Sequence, residues 1–184
     1  MESSSDMPSV HIDVVADVVC PWCYIGKRRL EKAIALTPGV NVSINGRPYF
    51  LNPWIPREGI DRRTYLETKF GSVERYAAIA ERIASAAALE GLVYNPDKIS
   101  RQPNTLDCHR LILWSRGVAD PGLVKQRLME LYFAEGADLS DAKVLIQAAV
   151  RDRNQETLLR DVFANYDDKS ALEHNSLKKD RFRE

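Results

Sequence analysis

Positions Val10 to Val19 read VHIDVVADVV, an almost continuous apolar run in which Ile12 and Val14 alternate with His11 and Asp13. A period of two over such a run predicts a buried or half-buried strand. Cys20-Pro21 interrupts it, and the spacing then changes. Ile25, Leu30, Ala33 and Ile34 fall three to five apart, with Lys27, Arg28, Arg29, Glu31 and Lys32 filling the other side. That is the stripe of an amphipathic helix, and Thr37-Pro38-Gly39 stops it. A second strand is predicted over Val40 to Ile44, with Val40, Val42 and Ile44 on one face. Asn45-Gly46 then reads as a turn and Arg47 to Leu51 as an extended segment.

From Asp61 the texture is helical. Amphipathic stretches run over Arg62 to Phe70, Val73 to Glu90, Thr105 to Ser115, Gly122 to Ala134, Asp141 to Val150, Glu156 to Asn165 and Lys169 to Lys179. Gly71, Gly91 with Pro96, Gly117 with Pro121, and Gly136 mark the breaks. Ser140 is the expected cap of the helix that Asp141 opens. Strand, helix, strand and then a helical block is the opening of an α/β, thioredoxin-like fold carrying a large all-α insertion. The expected division is 10–60 for the first part of the thioredoxin-like domain, 61–168 for the helical insertion and 169–184 for the start of a returning helix. Such a fold needs two further strands and a last helix, and nothing after Asp168 reads as strand.

Composition narrows the partners. In 184 residues, 26 basic and 26 acidic side chains cancel, and 45% of residues are hydrophobic. That is core enough for a folded domain, with no electrostatic pull towards nucleic acid or an anionic membrane. Met1 to Ser9 is polar and acidic, without the basic start and apolar run of a secretory signal, and no segment reads as membrane-spanning. The expectation is a soluble, cytoplasmic protein. In that compartment two cysteines three positions apart are redox-active or metal-binding more often than structural.

Cys20-Pro21-Trp22-Cys23 is that pair. With Cys20 on the last strand residue, at the N-cap of the helix, Pro21 takes the first helical position, where its missing N–H is harmless. The unpaired N–H groups and the positive end of the helix dipole then favour a thiolate at Cys20. Thiols at such sites titrate at roughly 3.5–7.5, against about 8.5 for a free cysteine. Cys23, one turn further on, resolves the mixed disulfide, and Trp22 covers the pair. A zinc site built from Cys20, Cys23, Cys108 and His109 is the weaker reading, because adjacent helical residues point about 100° apart and rarely converge on one ion. No metal is therefore assigned. An inert buried pair also fits the Pro-Trp insertion poorly. Cys108 alone reads as a small core residue.

Four segments in order carry a resemblance. Asp17-Val18-Val19-Cys20-Pro21-Trp22-Cys23-Tyr24-Ile25-Gly26-Lys27 resembles the active-site region of the FrnE-type, DsbA-like disulfide oxidoreductases. Arg47-Pro48-Tyr49-Phe50-Leu51-Asn52-Pro53 is similar to the family's segment after the second strand. Asn104 to Leu111 and Tyr132 to Leu139 resemble two later segments of the helical insertion. The resemblance implies Cys20 as attacking thiol and Cys23 as resolving thiol, with Pro21, Trp22, His109 and Arg110 near the substrate groove. A lone helical histidine also fits a hydrogen-bonded structural role. The resemblance further implies protein or small-molecule disulfides as partners and no resident cofactor, with glutathione as a candidate co-substrate. The family closes its site with a cis-proline loop ahead of the third strand, and this chain stops about where that loop is expected. Three functions follow as expectations. One is a thiol–disulfide oxidoreductase or isomerase. Another is a glutathione-dependent isomerase or transferase of the hydroxychromene carboxylate isomerase or kappa-class type, whose members carry Ser in the first cysteine position. The last is a truncated, inactive product.

Overall fold

Two short strands set the direction of the N-terminal part. In the computed structural model the described residues are 7–116 and 120–149. β1 (Ser9–Ala16) and β2 (Asn41–Pro48) pair in parallel, in register from Ser9 opposite Asn41 to Ala16 opposite Pro48. Parallel neighbours need a crossover rather than a hairpin, and α1 (Pro21–Ala35) supplies it. Among the described residues this sheet has two strands, and Val10, Val15 and Ile44 on it remain exposed.

Two expectations about the strands are corrected. β1 ends at Ala16 rather than running to Val19. The Asp17 carboxylate is engaged elsewhere, and Val18 and Val19 bury themselves in the core instead of extending the ladder. Asn45-Gly46 does not turn. It continues β2, because Asn45 donates to Asp13 Oδ1 at 2.8 Å and Arg47 pairs with Asp13 Oδ2 at 2.7 Å across the strands.

The helical block begins with β3 (Ile60–Asp61), which forms a minimal antiparallel ladder with β4 (Arg101–Gln102). This ladder is too short to leave a periodic pattern in the sequence. α2 (Arg62–Phe70) is capped by Asp61, which accepts from the Thr64 N–H at 3.0 Å. α3 (Val73–Leu89) is capped by Ser72, which accepts from the Arg75 N–H at 3.2 Å. α4 (Leu106–Ser115), α5 (Pro121–Glu130) and α6 (Ala142–Ala149) follow. Asp141, not Ser140, caps α6, accepting from the Lys143 N–H at 2.8 Å. Between α5 and α6 the expected single helix from Gly122 to Ala134 passes into a π-helical turn, Leu131–Glu135. The expected helices Glu156 to Asn165 and Lys169 to Lys179, and the division 169–184, lie outside the described residues.

One core unites the two parts. Tyr24 and Ile25 of α1 are buried with Ile83, Leu111, Leu128, Met129, Tyr132 and Phe133 of the helical block, and Tyr24 stacks on Phe133 at 5.2 Å. Each such side chain contributes roughly 1.5–3 kcal/mol through burial. Inside it, Arg62 donates to the hydroxyls of Tyr132 and Tyr76, and Tyr76 meets Tyr94 at 2.8 Å. The π-helical turn ends on Gly136 at φ +73°, where a Cβ would stand 2.4 Å from the Lys98 carbonyl oxygen. Positive φ and a backbone collision act together there, so Gly136→Ala is expected to lower stability by about 1–3 kcal/mol. Urea denaturation of the reduced protein measures it, and an unchanged midpoint would contradict this packing.

Candidate functional site

The dithiol owes its position to a turn rather than to the strand. After β1 the chain closes a turn in which the Cys20 N–H donates to the Asp17 carbonyl at 3.3 Å. Cys20 then adopts extended backbone (φ −93°, ψ 111°) as the N-cap of α1, with Pro21 in the first helical position. The Cys20 carbonyl accepts from the Cys23 and Tyr24 N–H groups at 3.0 and 3.1 Å. Cys20 and Cys23 are both free thiols, partly exposed, one helical turn apart. Trp22, between them, is 50% exposed.

The two sulfurs are chemically unequal. A hydrogen bond from the Cys23 thiol is the chief cause that brings Cys20 down to about 7. Burial opposes it, the N–H groups of Cys23 and Trp22 assist, and the Asp17 charge opposes. The sulfur makes no capping hydrogen bond of ordinary geometry, so the first-turn N–H groups act mainly through their dipoles. The same hydrogen bond, then burial and the Cys20 charge, push Cys23 far above the ordinary thiol range, while Lys125 of α5 pulls the other way. The arrangement is one thiolate with its proton donor.

Behind the pair stands Asp17, with no exposed surface. Its Oδ2 accepts from the Leu51 N–H at 2.8 Å and from the Thr105 hydroxyl at 3.2 Å. His109 Nε2 lies 3.3 Å from Oδ1 and 3.2 Å from the Tyr49 carbonyl oxygen, and the edge of its ring meets Phe50. Both neighbours of Nε2 are acceptors, so this nitrogen carries a proton. His109 is therefore buried behind the turn, where it ties α4 to the 49–51 segment. Arg110, on the same helix, donates to Asp107 Oδ1 at 3.0 Å, and Asp107 also accepts from Arg57. Cys108 is fully buried with its Sγ 3.9 Å from the Leu139 carbonyl, and burial holds its thiol well above the ordinary range. The structure thus brings Cys20, Pro21, Trp22 and Cys23 together at the surface, with His109 beneath them.

Residue types alone did not single out three members of this site. Asp17 could have been noticed as one carboxylate in the apolar run VVADVV. Asn52 and Lys69 lie 32 and 49 positions beyond Cys20 in the chain (52 − 20 and 69 − 20), and only folding joins them. Lys69 donates to Asn52 Oδ1 at 2.6 Å, and Tyr65 reaches the same oxygen at 3.4 Å. Trp54, 49% exposed, stacks on Tyr65 at 6.1 Å.

Comparison with known proteins bears on the fold. A probable DsbA oxidoreductase from Streptomyces coelicolor superposes with a TM-score of 0.74 at 27% identity, over 90% of this chain and 70% of that one. The cytosolic disulfide reductase DsbM from Pseudomonas aeruginosa, solved with GSH, superposes with a TM-score of 0.54 at 16% identity, over 85% of this chain and 73% of that one, a likeness of fold. The Bacillus subtilis (strain 168) protein YwbO is 42% identical over 45 residues, a stretch that spans 24% of this chain and 21% of that protein. Among the described residues no helix is long and apolar enough to cross a membrane. The family model of the DSBA-like thioredoxin domain matches residues 11–180, and with the dithiol at the start of α1 and a helical block beyond β2, the chain belongs to the DsbA-like thioredoxin family.

Proposed function

We propose that the protein is a thiol–disulfide oxidoreductase in which Cys20 attacks and Cys23 resolves. The observation that carries the reading is the inequality of the two sulfurs: Cys20 at about 7, with Cys23 as its hydrogen-bond donor. The Cys20 thiolate attacks one sulfur of a substrate disulfide, forms a mixed disulfide and expels the other sulfur as a thiolate. Cys23 then gives up its proton to water or to the departing thiolate and attacks Cys20 Sγ. The second substrate thiolate leaves, and a Cys20–Cys23 disulfide remains. Two external thiols reverse these steps. An attacking thiol that titrates near ambient pH combines thiolate population with nucleophilicity, which suits traffic in both directions, isomerisation included.

Pro21 and Trp22 form the surface that meets the substrate, and His109 positions the turn from beneath through Asp17 and Tyr49. Glutathione as regenerating thiol, and a cytoplasmic setting, are supported by the likeness to the Pseudomonas neighbour, a cytosolic disulfide reductase solved with GSH. A glutathione-dependent isomerase or transferase has no use for a second thiol. The Cys23 hydrogen bond therefore favours redox chemistry.

The thiolate absorbance of the reduced protein is expected to rise with a midpoint at about pH 7. Because the depressed value belongs to the charged form, thiolate is present above that pH and is lost as pH falls through it. Alkylation of Cys20 should accordingly slow about ten-fold per pH unit below the midpoint. Cys23→Ala removes the largest stabilising contact and should move the midpoint upwards; an unmoved midpoint would assign the thiolate to another cause. In a separate assay, Cys20→Ser is expected to reduce turnover of hydroxyethyl disulfide to the uncatalysed rate. Turnover equal to that of the parent protein would remove the assignment.

A further inference from the structure

Lys69 stands out among the cations of the site. It lies near the C-terminus of α2 with its side chain exposed, and the described residues provide it with no ion-pair partner. Its ammonium is held by a neutral acceptor, Asn52 Oδ1 at 2.6 Å, and lies 5.5 and 5.9 Å from the ring centroids of Tyr65 and Phe70. Those contacts fix a cation without neutralising it. Asn52 adjoins Leu51, whose N–H donates to Asp17 at 2.8 Å, and the Asp17 carbonyl holds the Cys20 N–H at 3.3 Å. A short chain of bonded groups thus connects the ammonium to the nucleophile. Partial burial lowers the Lys69 titration, and the negative charges of Cys20 and Asp17 act back on it. Asp17 is fully buried, with Oδ2 bonded to the Leu51 N–H and the Thr105 hydroxyl and His109 Nε2 standing 3.3 Å from Oδ1. The accessible side of Lys69 is therefore left for a charge that arrives from solvent, and the exposed indole of Trp54 stacks on the same Tyr65 ring.

We infer that Lys69 is a specificity-determining residue that selects disulfides flanked by a carboxylate for attack by Cys20. The inference rests on the oxidoreductase reading above and gives it a substrate class. A carboxylate can come from a small acidic thiol compound or from an acidic residue beside a cysteine in a polypeptide. The contact is the same in both: a charge-assisted hydrogen bond from the ammonium to the carboxylate, made as the sulfur–sulfur bond approaches Cys20.

Single-turnover oxidation of the reduced full chain, followed by tryptophan fluorescence at low ionic strength, tests this with defined oxidants. These are oxidised glutathione (anionic), hydroxyethyl disulfide (neutral), cystamine (cationic), and two disulfide-linked peptides differing only in Asp or Lys beside the cysteine. In the parent protein, rate constants should follow the order anionic, neutral, cationic, and the spread should shrink as salt is added. Lys69→Met should lower the ratio of the oxidised glutathione to the hydroxyethyl disulfide rate constant about ten-fold. Lys69→Arg, which keeps the charge, should preserve most of that ratio. Loss of discrimination among the small oxidants alone, or in the peptide pair alone, supports the inference and identifies the source of the carboxylate. If the parent is oxidised by every disulfide and Lys69→Met leaves both ratios as they were, the inference fails while the oxidoreductase reading stands. If none of the disulfides oxidises the parent, both fail.

Discussion

A carboxylate sealed from water, three positions ahead of Cys20, is the constraint around which this molecule is arranged. An unsolvated charge of this kind costs several kcal/mol unless its surroundings compensate it. Asp17 answers that demand by recruiting from distant parts of the chain: the Leu51 N–H and the Thr105 hydroxyl donate to Oδ2, and His109 Nε2 stands 3.3 Å from Oδ1. Those contacts end β1 early, set the turn into α1 and bring α4 against the segment after β2. Cys20 arrives at the helix start because the residue that opens the turn is bonded to both the 49–51 segment and α4.

The same charge works against the chemistry that it positions. Asp17 disfavours the Cys20 thiolate, and so does burial, yet the Cys23 hydrogen bond outweighs them and Cys20 settles at about 7. A helix start free of a neighbouring carboxylate would pull the thiol lower and make the thiolate a poorer nucleophile. The opposition therefore keeps the sulfur in the range where both protonation states are populated near neutrality. Lys69 and Lys125 lie on opposite sides of this balance, one acting with Cys20 and the other with Cys23.

Local chemistry made much of this legible in the sequence. The run from Val10, the change to helical spacing after Cys20 and the Pro at the first helical position correspond to β1 and α1. The bounds of α2 follow from Asp61 as cap and Gly71 as stop. What was hidden depended on contacts between remote residues. Asn45-Gly46 carries turn propensity, but cross-strand bonds to Asp13 hold it extended. The pairing of Ile60–Asp61 with Arg101–Gln102 is two residues long and has no period to detect. The helix expected to run unbroken to Ala134 changes its winding at Leu131, where Tyr132 and Phe133 turn into the core. The motif offers His109 as a candidate, whereas its burial behind Asp17 follows only from the placement of α4 on the 49–51 segment.

Asp17 also bears on how the protein can be dissected. Of the groups around its carboxylate, Thr105 and His109 come from the helical block and Leu51 from the thioredoxin-like part. The helical block is thus no detachable module hung on a self-sufficient dithiol unit. An excised fragment that kept every residue of the Cys-Pro-Trp-Cys sequence would leave the charge behind it in a half-built cage, and the loop that presents the sulfur would have lost its foundation.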